Sequence, residues 1–296
     1  MKVLLNGANG FIGRQIELAL QQAGHQVVRG VSRPTGPKDV AVDFGRDTQA
    51  STWLPRLGGV HAVINAVGIL RGTASRPIQA VHADAPIALF QACAQQQVRR
   101  VLHISALGID GNDSPYATTK RQAEQGLLQL TQSGQLQGLV LRPSMVFGPG
   151  GDSSELFLTL SKLPVLVLPG VAARAKVQPV HVLELAAAAA RLLTAPELSG
   201  TLNCVGPQPV AVAELIASLR QQQGRPPAPM WSIPDWLSRW SAAAADLVPV
   251  TPWGRQALSL LSQDNVADPH PFAQVLGRSA TGYADFLSLT QQHDKA

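Results

Sequence analysis

Tyr116 and Lys120 stand four residues apart in the stretch "SPYATTKRQAE", residues 114 to 124, which otherwise has the composition of a helix. At this spacing two side chains share one face of a helix, whatever their purpose. A lysine ammonium one turn away favours the anionic form of a phenol and lowers its pKa from about 10. Such a tyrosine can exchange a proton with a hydroxyl or a carbonyl. The same spacing also occurs between two ordinary surface residues, so the surrounding sequence has to distinguish the two interpretations.

A glycine-rich turn lies near the start of the chain, in "LLNGANGFIGRQI". Gly7, Gly10 and Gly13 fall between a predicted first strand and a predicted first helix, with the spacing GxxGxxG. Glycines here let backbone N–H groups approach a pyrophosphate, whose charge the N-terminus of the helix favours. We therefore predict a dinucleotide site in this turn. The other candidate cofactor-binding residues of the turn are Asn9, Phe11 and Ile12.

The charges that follow the second predicted strand indicate which dinucleotide binds. An NAD site is expected to have an acidic residue about 20 residues past the glycines, for the adenosine ribose. Between residues 18 and 38 the charged side chains are instead Arg29, Arg33 and Lys38, and Arg33 lies where the strand should end. A guanidinium can pair with a 2′-phosphate, so we predict a preference for NADP(H), with NAD(H) as the second candidate. Arg33 as a solvated loop residue is the alternative, and Asp43 is either a contact of the adenine or a surface turn carboxylate.

The first half of the chain alternates short apolar runs with amphipathic segments. The runs cover residues 2 to 6, 25 to 32, 39 to 43, 60 to 68, 99 to 106 and 136 to 144. Helical patterns lie between several of them, at 13 to 24, 76 to 97 and 115 to 134. Near-continuous apolar strands joined by helices are typical of a parallel sheet covered on both faces. The predicted fold class is therefore α/β, a doubly wound parallel sheet of the Rossmann type with a smaller C-terminal substrate lobe.

The alternation ends near Pro149. Residues 150 to 180 are rich in glycine, proline and short apolar runs, and predicted helices follow at 181 to 194 and 211 to 224. We therefore predict an NAD(P)-binding domain over residues 1 to 149, with return segments near 177 to 206. A smaller mixed lobe is predicted over residues 150 to 296.

Five motifs together resemble the short-chain dehydrogenase/reductase superfamily: "NGANGFIG", "INAVGI", "HISALG", "PYATTK" and "LRPSMVFGPGG". More narrowly, the chain is similar to the extended and atypical members grouped with NAD-dependent epimerases and dehydratases, and with the nucleotide-binding accessory subunit of respiratory complex I. The motifs cover residues 1 to 185, and the last hundred residues match only in general. The resemblance implies a Rossmann domain that binds NAD(P)H and a Tyr-x-x-x-Lys active site formed by Tyr116 and Lys120. It also implies that the cofactor is lined by residues of two later loops: Asn65, Ala66, Gly68, Pro143 and Ser144.

The family's third catalytic residue is a serine or threonine after the fifth strand, which hydrogen-bonds the reacting oxygen. Ser105 is the only hydroxyl in "HISALGID", whereas many relatives place it one or two positions later, where this chain has Ala106 and Leu107. Ser105 is therefore the predicted third residue, Ser114 is the alternative, and a weakened site is the third interpretation. The resemblance further implies that Lys120 holds the nicotinamide ribose hydroxyls, and that an oxidised nicotinamide adds to the lowering of the Tyr116 pKa.

These expectations lead to a predicted function. It is an NAD(P)H-dependent oxidoreductase, which is a reductase, a dehydrogenase or an epimerase-like enzyme. It acts on a carbonyl or hydroxyl of a small molecule that the sequence does not identify. The alternative is a non-catalytic NADPH-binding accessory or sensor module that stabilises a protein or a respiratory complex. Tyr116 and Lys120 favour the enzyme, and the missing hydroxyls at 106 and 107 favour the module. Gln178 and His181, in a segment that resembles the family's return from its substrate lobe, are candidate substrate contacts.

Composition narrows the remaining classes of function. The seven histidines have no HxxxH or HExxH spacing and the two cysteines lie in no CxxC motif, so we expect neither a metal site nor a disulfide framework. The net charge of +5 comes from scattered residues, which argues against nucleic-acid binding. No signal peptide and no apolar run long enough to span a bilayer are recognisable, which predicts a cytoplasmic protein.

Tryptophans are concentrated in the predicted second lobe, at Trp231, Trp236, Trp240 and Trp253. One interpretation is that they pack the core of the lobe, because aromatic side chains bury a large area. The other is an interfacial segment that makes a weak peripheral membrane contact. The helices at 76 to 97 and 115 to 134 are the faces that relatives pair in a four-helix bundle, so a homodimer is one expectation.

Overall fold

The computed structural model describes residues 1–234 and 264–293. Contacts between residues divide the chain into two compact units. The first unit consists of Met1–Pro143 and Leu183–Asn203, and the second of Ser144–Val182 and Cys204–Ala296. The chain therefore leaves the first unit after Pro143 and returns to it for one segment.

A seven-stranded sheet forms the centre of the first unit. Its first six strands in chain order are β1 (Lys2–Asn6), β2 (Gln26–Val31), β3 (Asp39–Ala41), β4 (Ala62–Asn65), β5 (Arg100–Ile104) and β6 (Gln137–Pro143). They lie side by side in the order β3-β2-β1-β4-β5-β6, all parallel, and the strand Gly200–Cys204 extends the sheet beyond β6. The order reverses at β1, so the carboxyl ends of β1 and β4 flank the point where a doubly wound sheet binds ligands. The predicted fold class is confirmed.

Helices join these strands and cover the sheet. They are α1 (Phe11–Gln22), α2 (Ala50–Trp53) with a 3₁₀ turn at Leu54–Leu57, α3 (Ala85–Gln95), α4 (Pro115–Gln132) and the returning helix Val182–Leu193. Helix α1 buries Gly13, Ile16 and Leu20, which recur at the three- and four-residue spacing of one helical face. The central strands β1, β4 and β5 are buried almost along their whole length, as expected for a parallel sheet with helices on both faces.

The helical segment that leads into α3 contains one wide turn, a π-helix at Ala80–Asp84. Pro86 follows inside the same helical run, and a proline has no N–H to donate to the carbonyl four residues earlier, here that of His82. A wider turn accommodates this missing bond, and π-bulges occur frequently at functional sites. His82 lies buried in this turn.

The second unit is built from short elements around its own core. Its helices are Asp152–Leu160, Gly170–Arg174, Val212–Gln222, His270–Leu276 and Phe286–His293, with a 3₁₀ turn at Tyr283–Asp285. Its paired strands are Val146–Phe147 with Val180–His181, Lys176–Val177 with Val210–Ala211, and Leu166–Pro169 with Met230–Ile233. The core packs Phe147, Phe157 and Phe286 with aliphatic side chains of the helix Val212–Gln222.

The tryptophans of the second unit divide between described and undescribed residues. Trp231 is 67% exposed on the strand Met230–Ile233, so it does not pack the core of its unit. Trp236, Trp240 and Trp253 lie outside the described residues. Within residues 1–234 and 264–293, no helix combines the length and the apolar character needed to cross a membrane.

Candidate active site

The glycine turn connects β1 to α1 in a tight, left-handed conformation. Gly7 has φ +83°, which side chains other than glycine rarely adopt, and its carbonyl accepts a hydrogen bond from the Gly10 N–H at 2.8 Å. A Cβ on Gly13 would lie 2.0 Å from that same carbonyl oxygen. Gly7 and Gly13 are therefore required by the backbone path, which brings the start of α1 directly against the end of β1.

The first turn of α1 leaves its backbone donors available. Gly10 is the N-cap residue and, within the described chain, no side chain accepts a hydrogen bond from the helix start. The amides of Phe11, Ile12 and Gly13 have no partner inside the helix, because the first N–H groups of any helix lack one. These donors and the positive end of the helix dipole fit a phosphate group.

Arg29 on β2 connects the glycine turn to the neighbouring strands. Its Nη2 donates to Asn9 Oδ1 at 2.6 Å, its Nε to Glu17 Oε2 at 3.0 Å and its Nη1 to Asp39 Oδ1 at 2.9 Å. Arg29 is thus held by the chain's own acceptors. Arg33, two residues beyond β2, is exposed and forms no ion pair with the residues that the structure describes.

The loop that carries Arg33 is shaped by Asp39. The Asp39 Oδ2 accepts hydrogen bonds from the backbone N–H groups of Thr35, at 2.7 Å, and Gly36, at 3.1 Å. The Thr35 N–H, and secondly Arg29, lower the pKa of the Asp39 carboxyl, so it stays ionised. Asp43, past the end of β3, is exposed and accepts a hydrogen bond from the Gly45 N–H at 2.9 Å, which is the bonding expected of a turn carboxylate.

The loop after β4 packs against the glycine turn. The Ala66 N–H donates to the Asn6 carbonyl at 3.0 Å, and a Cβ on Gly7 would lie 3.0 Å from the Ala66 carbonyl. Asn65 is buried, and its Oδ1 accepts from the Val67 N–H at 3.2 Å. The structure thus brings Asn65 and Ala66 to the same edge of the sheet as the glycines.

Lys120 reaches this edge from α4. Its buried Nζ donates to the Ile104 carbonyl, at the end of β5, over 2.9 Å, and a Cβ on Gly68 would lie 3.6 Å from it. Burial lowers the pKa of Lys120 to about 8, against a smaller opposing effect of the Glu124 carboxylate one turn away. Glu124 is fixed in turn by Arg142, whose Nε donates to it at 2.9 Å.

Tyr116 lies one turn before Lys120 and is half-buried. Its ring meets the imidazole of His82 edge to face, with 5.2 Å between the ring centroids. Burial raises the pKa of Tyr116 to about 12, so among the chain's own groups desolvation determines the direction of the shift. Ser114, the alternative to Ser105, is the N-cap of α4, where its Oγ accepts from the Ala117 N–H at 3.3 Å.

Ser105 directly follows the carbonyl that holds Lys120. Its backbone N–H donates to the Leu141 carbonyl at 2.7 Å, which continues the pairing of β5 with β6. Its side-chain hydroxyl is buried and finds no hydrogen-bond partner among the residues that the structure describes. Leaving a buried polar group without a hydrogen bond costs about 1–3 kcal/mol. The Ser105 hydroxyl therefore fits a site in which a bound ligand provides the missing hydrogen-bond partner.

Pro143 and Ser144 stand where the chain passes from the first unit to the second. The Pro143 carbonyl, in the first unit, accepts from the Leu107 N–H at 2.8 Å. The Ser144 hydroxyl, in the second unit, donates to the Asn265 carbonyl at 3.1 Å and accepts from the Gln178 N–H at 3.2 Å. Ser144 is thus engaged in holding its own unit together.

Gln178 and His181, the candidate substrate contacts, are both buried in the second unit. The Gln178 Nε2 donates to the Gly206 carbonyl at 2.7 Å, and its Oε1 accepts from the Ala267 N–H at 3.0 Å. His181 contacts the Thr290 hydroxyl at 3.0 Å and packs beside aromatic rings, and burial lowers its pKa to about 4. These bonds give both residues structural roles within the unit.

Two buried residues at the sheet edge escaped the sequence prediction. Asn6 ends β1, and both polar atoms of its side chain lack a partner in the described part of the chain. His82 contacts Tyr116 and lies near Gly68. A signal for His82 was present in the sequence, because Pro86 inside a helical pattern marks a disturbed turn at residue 82.

Comparison with known proteins adds one family and several similar folds. The model of the NAD dependent epimerase/dehydratase family matches residues 3–204. A ceramide reductase of Caulobacter vibrioides is 26% identical over 196 residues, which cover 62% of this chain but only 58% of that relative. The Thermus thermophilus UDP-glucose 4-epimerase in complex with NAD superposes with a TM-score of 0.72 at 20% identity, covering 100% of this chain and 99% of the other. The human epimerase family protein SDR39U1 (isoform 2) with NADPH gives 0.72 at 18% identity, with 99% of each chain covered. At these identities the structural likeness shows the fold.

Proposed function

Because the chain belongs to the NAD dependent epimerase/dehydratase family, as its motifs predicted, we propose that it is an NAD(P)H-dependent oxidoreductase or epimerase. It would act on a carbonyl or a hydroxyl group of a small molecule. One observation carries the proposal: the Lys120 ammonium donates to the Ile104 carbonyl at 2.9 Å, and the next residue, Ser105, has a buried hydroxyl without a partner among the described residues. The Lys120 ammonium and the unpaired Ser105 hydroxyl therefore belong to the edge of the sheet at which the glycine turn leads from β1 into α1.

Each residue of the candidate site would have a separate role in the reaction. A bound nicotinamide supplies the carbon that gives up or accepts a hydride. Tyr116 would exchange a proton with the substrate oxygen, donating it in reduction and accepting it in oxidation. Ser105 would hydrogen-bond the same oxygen, and Lys120, mostly protonated at pH 7 with its pKa near 8, would bind the nicotinamide ribose hydroxyls. Since burial alone raises the pKa of Tyr116 to about 12, its use as a base depends on the additional positive charge of an oxidised cofactor.

We propose NADP(H) as the preferred cofactor on the charge arrangement after β2. Arg29 is bound by Glu17, Asp39 and Asn9, whereas Arg33 is exposed on a loop whose backbone Asp39 fixes. A 2′-phosphate at this position would meet the Arg33 guanidinium. Solved neighbours in complex with NAD and with NADPH both exist, so the family leaves the choice to such local residues.

The relatives do not identify the substrate of this chain, but their names suggest which compounds to test first. A reductase named for ceramide and an epimerase named for UDP-glucose suggest one lipid and one nucleotide sugar. We therefore propose ceramide-type ketones, UDP-sugars and simple aldehydes and ketones as the first compounds to test.

The experiment compares wild type with Tyr116→Phe, following the nicotinamide absorbance over this panel. Tyr283→Phe is the matched control, because Tyr283 is the chain's only other tyrosine and lies in the second unit. Loss of general acid–base catalysis is expected to lower turnover by roughly 10²- to 10⁴-fold in Tyr116→Phe, with NADPH affinity little changed. Turnover at the wild-type rate in Tyr116→Phe contradicts the catalytic role. If wild type binds NADPH but converts no compound of the panel, the non-catalytic binding module becomes the favoured function.

A further inference from the structure

His82 makes two hydrogen bonds that join separate parts of the candidate site. It is 1% exposed in the π-helical turn before α3. Its Nε2 lies 3.0 Å from the backbone nitrogen of Ile69, in the loop after β4. Its Nδ1 lies 3.3 Å from the Thr119 hydroxyl on α4.

The direction of these bonds fixes where the imidazole proton lies. The Ile69 N–H can only donate, so Nε2 must be the accepting nitrogen and the proton of the neutral ring lies on Nδ1. Nδ1–H then donates to the Thr119 oxygen, and the Thr119 hydroxyl donates to the Pro115 carbonyl at 2.7 Å. A continuous chain of donors and acceptors thus runs from Ile69 to the first turn of α4.

Both ends of this chain lie next to candidate cofactor or catalytic residues. Ile69 directly follows Gly68, where a Cβ would be 3.9 Å from the imidazole Nε2 and 3.6 Å from Lys120 Nζ. Pro115 directly precedes Tyr116, whose ring also meets the imidazole edge. Burial, and secondly the charge of Lys120, lower the pKa of His82 to about 3, so the ring stays neutral and the chain of bonds is retained at all ordinary pH values.

We propose that His82 is a positioning residue, which holds the loop Ala66–Ile69 and the helix that carries Tyr116 and Lys120 in a fixed relation through its Nδ1-protonated imidazole. This role rests on the proposed function in so far as loop and helix face the nicotinamide. A residue that merely fills the core would need its ring volume but neither of its hydrogen bonds. The two properties can be separated by substitution.

Two variants separate the effect of the His82 ring volume from the effect of its hydrogen bonds. His82→Phe keeps an aromatic ring against Tyr116 but loses both hydrogen bonds, whereas His82→Gln loses the ring and keeps a carboxamide that can accept from Ile69 and donate to Thr119. His61→Phe is the matched control, because the Nδ1 of His61 also accepts a backbone N–H, that of Lys2 at 2.8 Å, but at the amino end of β1. The measurements are hydrogen exchange of the Ile69 amide and the dissociation constant of NADPH.

We expect His82→Phe to raise exchange at Ile69 and to weaken NADPH binding, each on the order of tenfold, because the half-buried Ile69 amide loses its partner. His82→Gln should stay within roughly threefold of wild type in both, and His61→Phe should change neither. A folded His82→Phe with wild-type exchange and affinity would overturn the proposal, as would a His82→Gln as impaired as His82→Phe.

If His82→Phe does not fold, nitrogen-15 NMR of the wild-type protein labelled in histidine still tests the proposal, because it reports which ring nitrogen of His82 carries the proton. The expected spectrum shows His82 neutral and protonated on Nδ1 between pH 5 and 7, as the bond from the Ile69 N–H requires. A proton on Nε2, or a charged ring, overturns the proposal. Failure of wild type to bind NADPH would contradict the proposed function instead, and the exchange and NMR measurements would still decide the role of His82.

Discussion

Lys120 combines a proposed role in the active site with a cost in stability. Its ammonium is buried, and burial lowers its pKa from 10.5 to about 8. A buried charge with few partners is retained in proteins chiefly at functional sites, where stability and activity compete. Glu124, held by Arg142, offsets part of the cost.

Replacing Lys120 by methionine tests this cost through its dependence on pH. Between pH 8 and 10.5 the unfolded chain binds a proton that the folded chain does not, so raising the pH through this window favours folding of the wild type. The destabilisation from the charged Lys120 is therefore complete below the folded pKa of about 8 and is absent above the unfolded pKa of 10.5. Relative to Lys120→Met, the free energy of unfolding of wild type should rise by about 3 kcal/mol across the window. Urea denaturation of both proteins at several pH values measures it, and a difference that does not change with pH would contradict the buried cation.

Arg33 is the residue on which the proposed cofactor preference depends. Arg33→Ala removes a charge-assisted hydrogen bond to the proposed 2′-phosphate, so NADPH affinity should fall roughly 10- to 100-fold while NADH affinity stays within about threefold. Arg99→Ala is the control, because Arg99 is also exposed but precedes β5 at the opposite edge of the sheet. Fluorescence titration of the nicotinamide measures the dissociation constants of both dinucleotides for wild type and the two variants. Equal losses for both dinucleotides would assign Arg33 a general role and leave the preference unexplained.

At the scale of elements, the turn between β1 and α1 determines whether the site can form. A Cβ at Gly13 would lie 2.0 Å from the Gly7 carbonyl oxygen, so Gly13→Ala must push the helix away from the strand. We expect NADPH affinity to fall at least tenfold and the free energy of unfolding to fall by about 1–3 kcal/mol, as in overpacked sites. Gly58→Ala is the control, since its nearest neighbour is 3.9 Å away. A Gly13→Ala protein with unchanged NADPH affinity would show that the turn does not approach the cofactor.

Elements also show how far a sequence can predict this structure. Strand β1 has the predicted bounds, residues 2 to 6, and the other five predicted strands lie within their predicted runs, because buried parallel strands are continuous apolar segments between turn signals. The pairing of Leu166–Pro169 with Met230–Ile233 was not predicted, because both strands are short and their partners are distant in sequence. The wide turn at Ala80–Asp84 was missed although Pro86 indicated it.

The candidate site was predictable in its residue types but less so in its energetics. The glycine turn and the Tyr116–Lys120 pair have local signatures that the sequence displays. The pKa of Tyr116 is raised by burial, and the bonds of Gln178 to Gly206 and Ala267 depend on tertiary packing. Neither can be deduced from spacing along the chain, because both depend on which residues surround the side chain after folding.

At the scale of the whole molecule, the two units each contain one buried cysteine. Cys93 lies in the core of the first unit, and Cys204 ends the strand Gly200–Cys204, where the chain passes into the second unit. Burial raises the pKa of both thiols far above its usual range. Iodoacetamide should therefore modify neither residue in the native protein at pH 8, and should modify both after unfolding. Mass spectrometry of the separate peptides reports the opening of the structure around each thiol. Rapid modification of Cys93 under native conditions would contradict the packed core of the first unit.

Cofactor binding should slow the opening of the first unit, and the rate at which iodoacetamide modifies Cys93 measures this effect. NADPH at about 100 times its dissociation constant stabilises the state that binds it by about 2.7 kcal/mol, which corresponds to a roughly 100-fold slower modification of Cys93 in mild denaturant when opening is global. The control is the Gly13→Ala protein, in which the same NADPH concentration should give protection that is weaker by roughly tenfold or more. Equal modification rates with and without NADPH in wild type would show that binding is not coupled to the folding of this unit.

The most direct test of the whole account is titration of the wild-type protein with NADPH and, separately, with NADH, following nicotinamide fluorescence. The glycine turn, the open first turn of α1 and the exposed Arg33 predict saturable binding of NADPH that is at least tenfold tighter than that of NADH. Equal affinities would contradict the preference for NADP(H) and leave the dinucleotide site intact. If neither dinucleotide binds, the proposed oxidoreductase is contradicted.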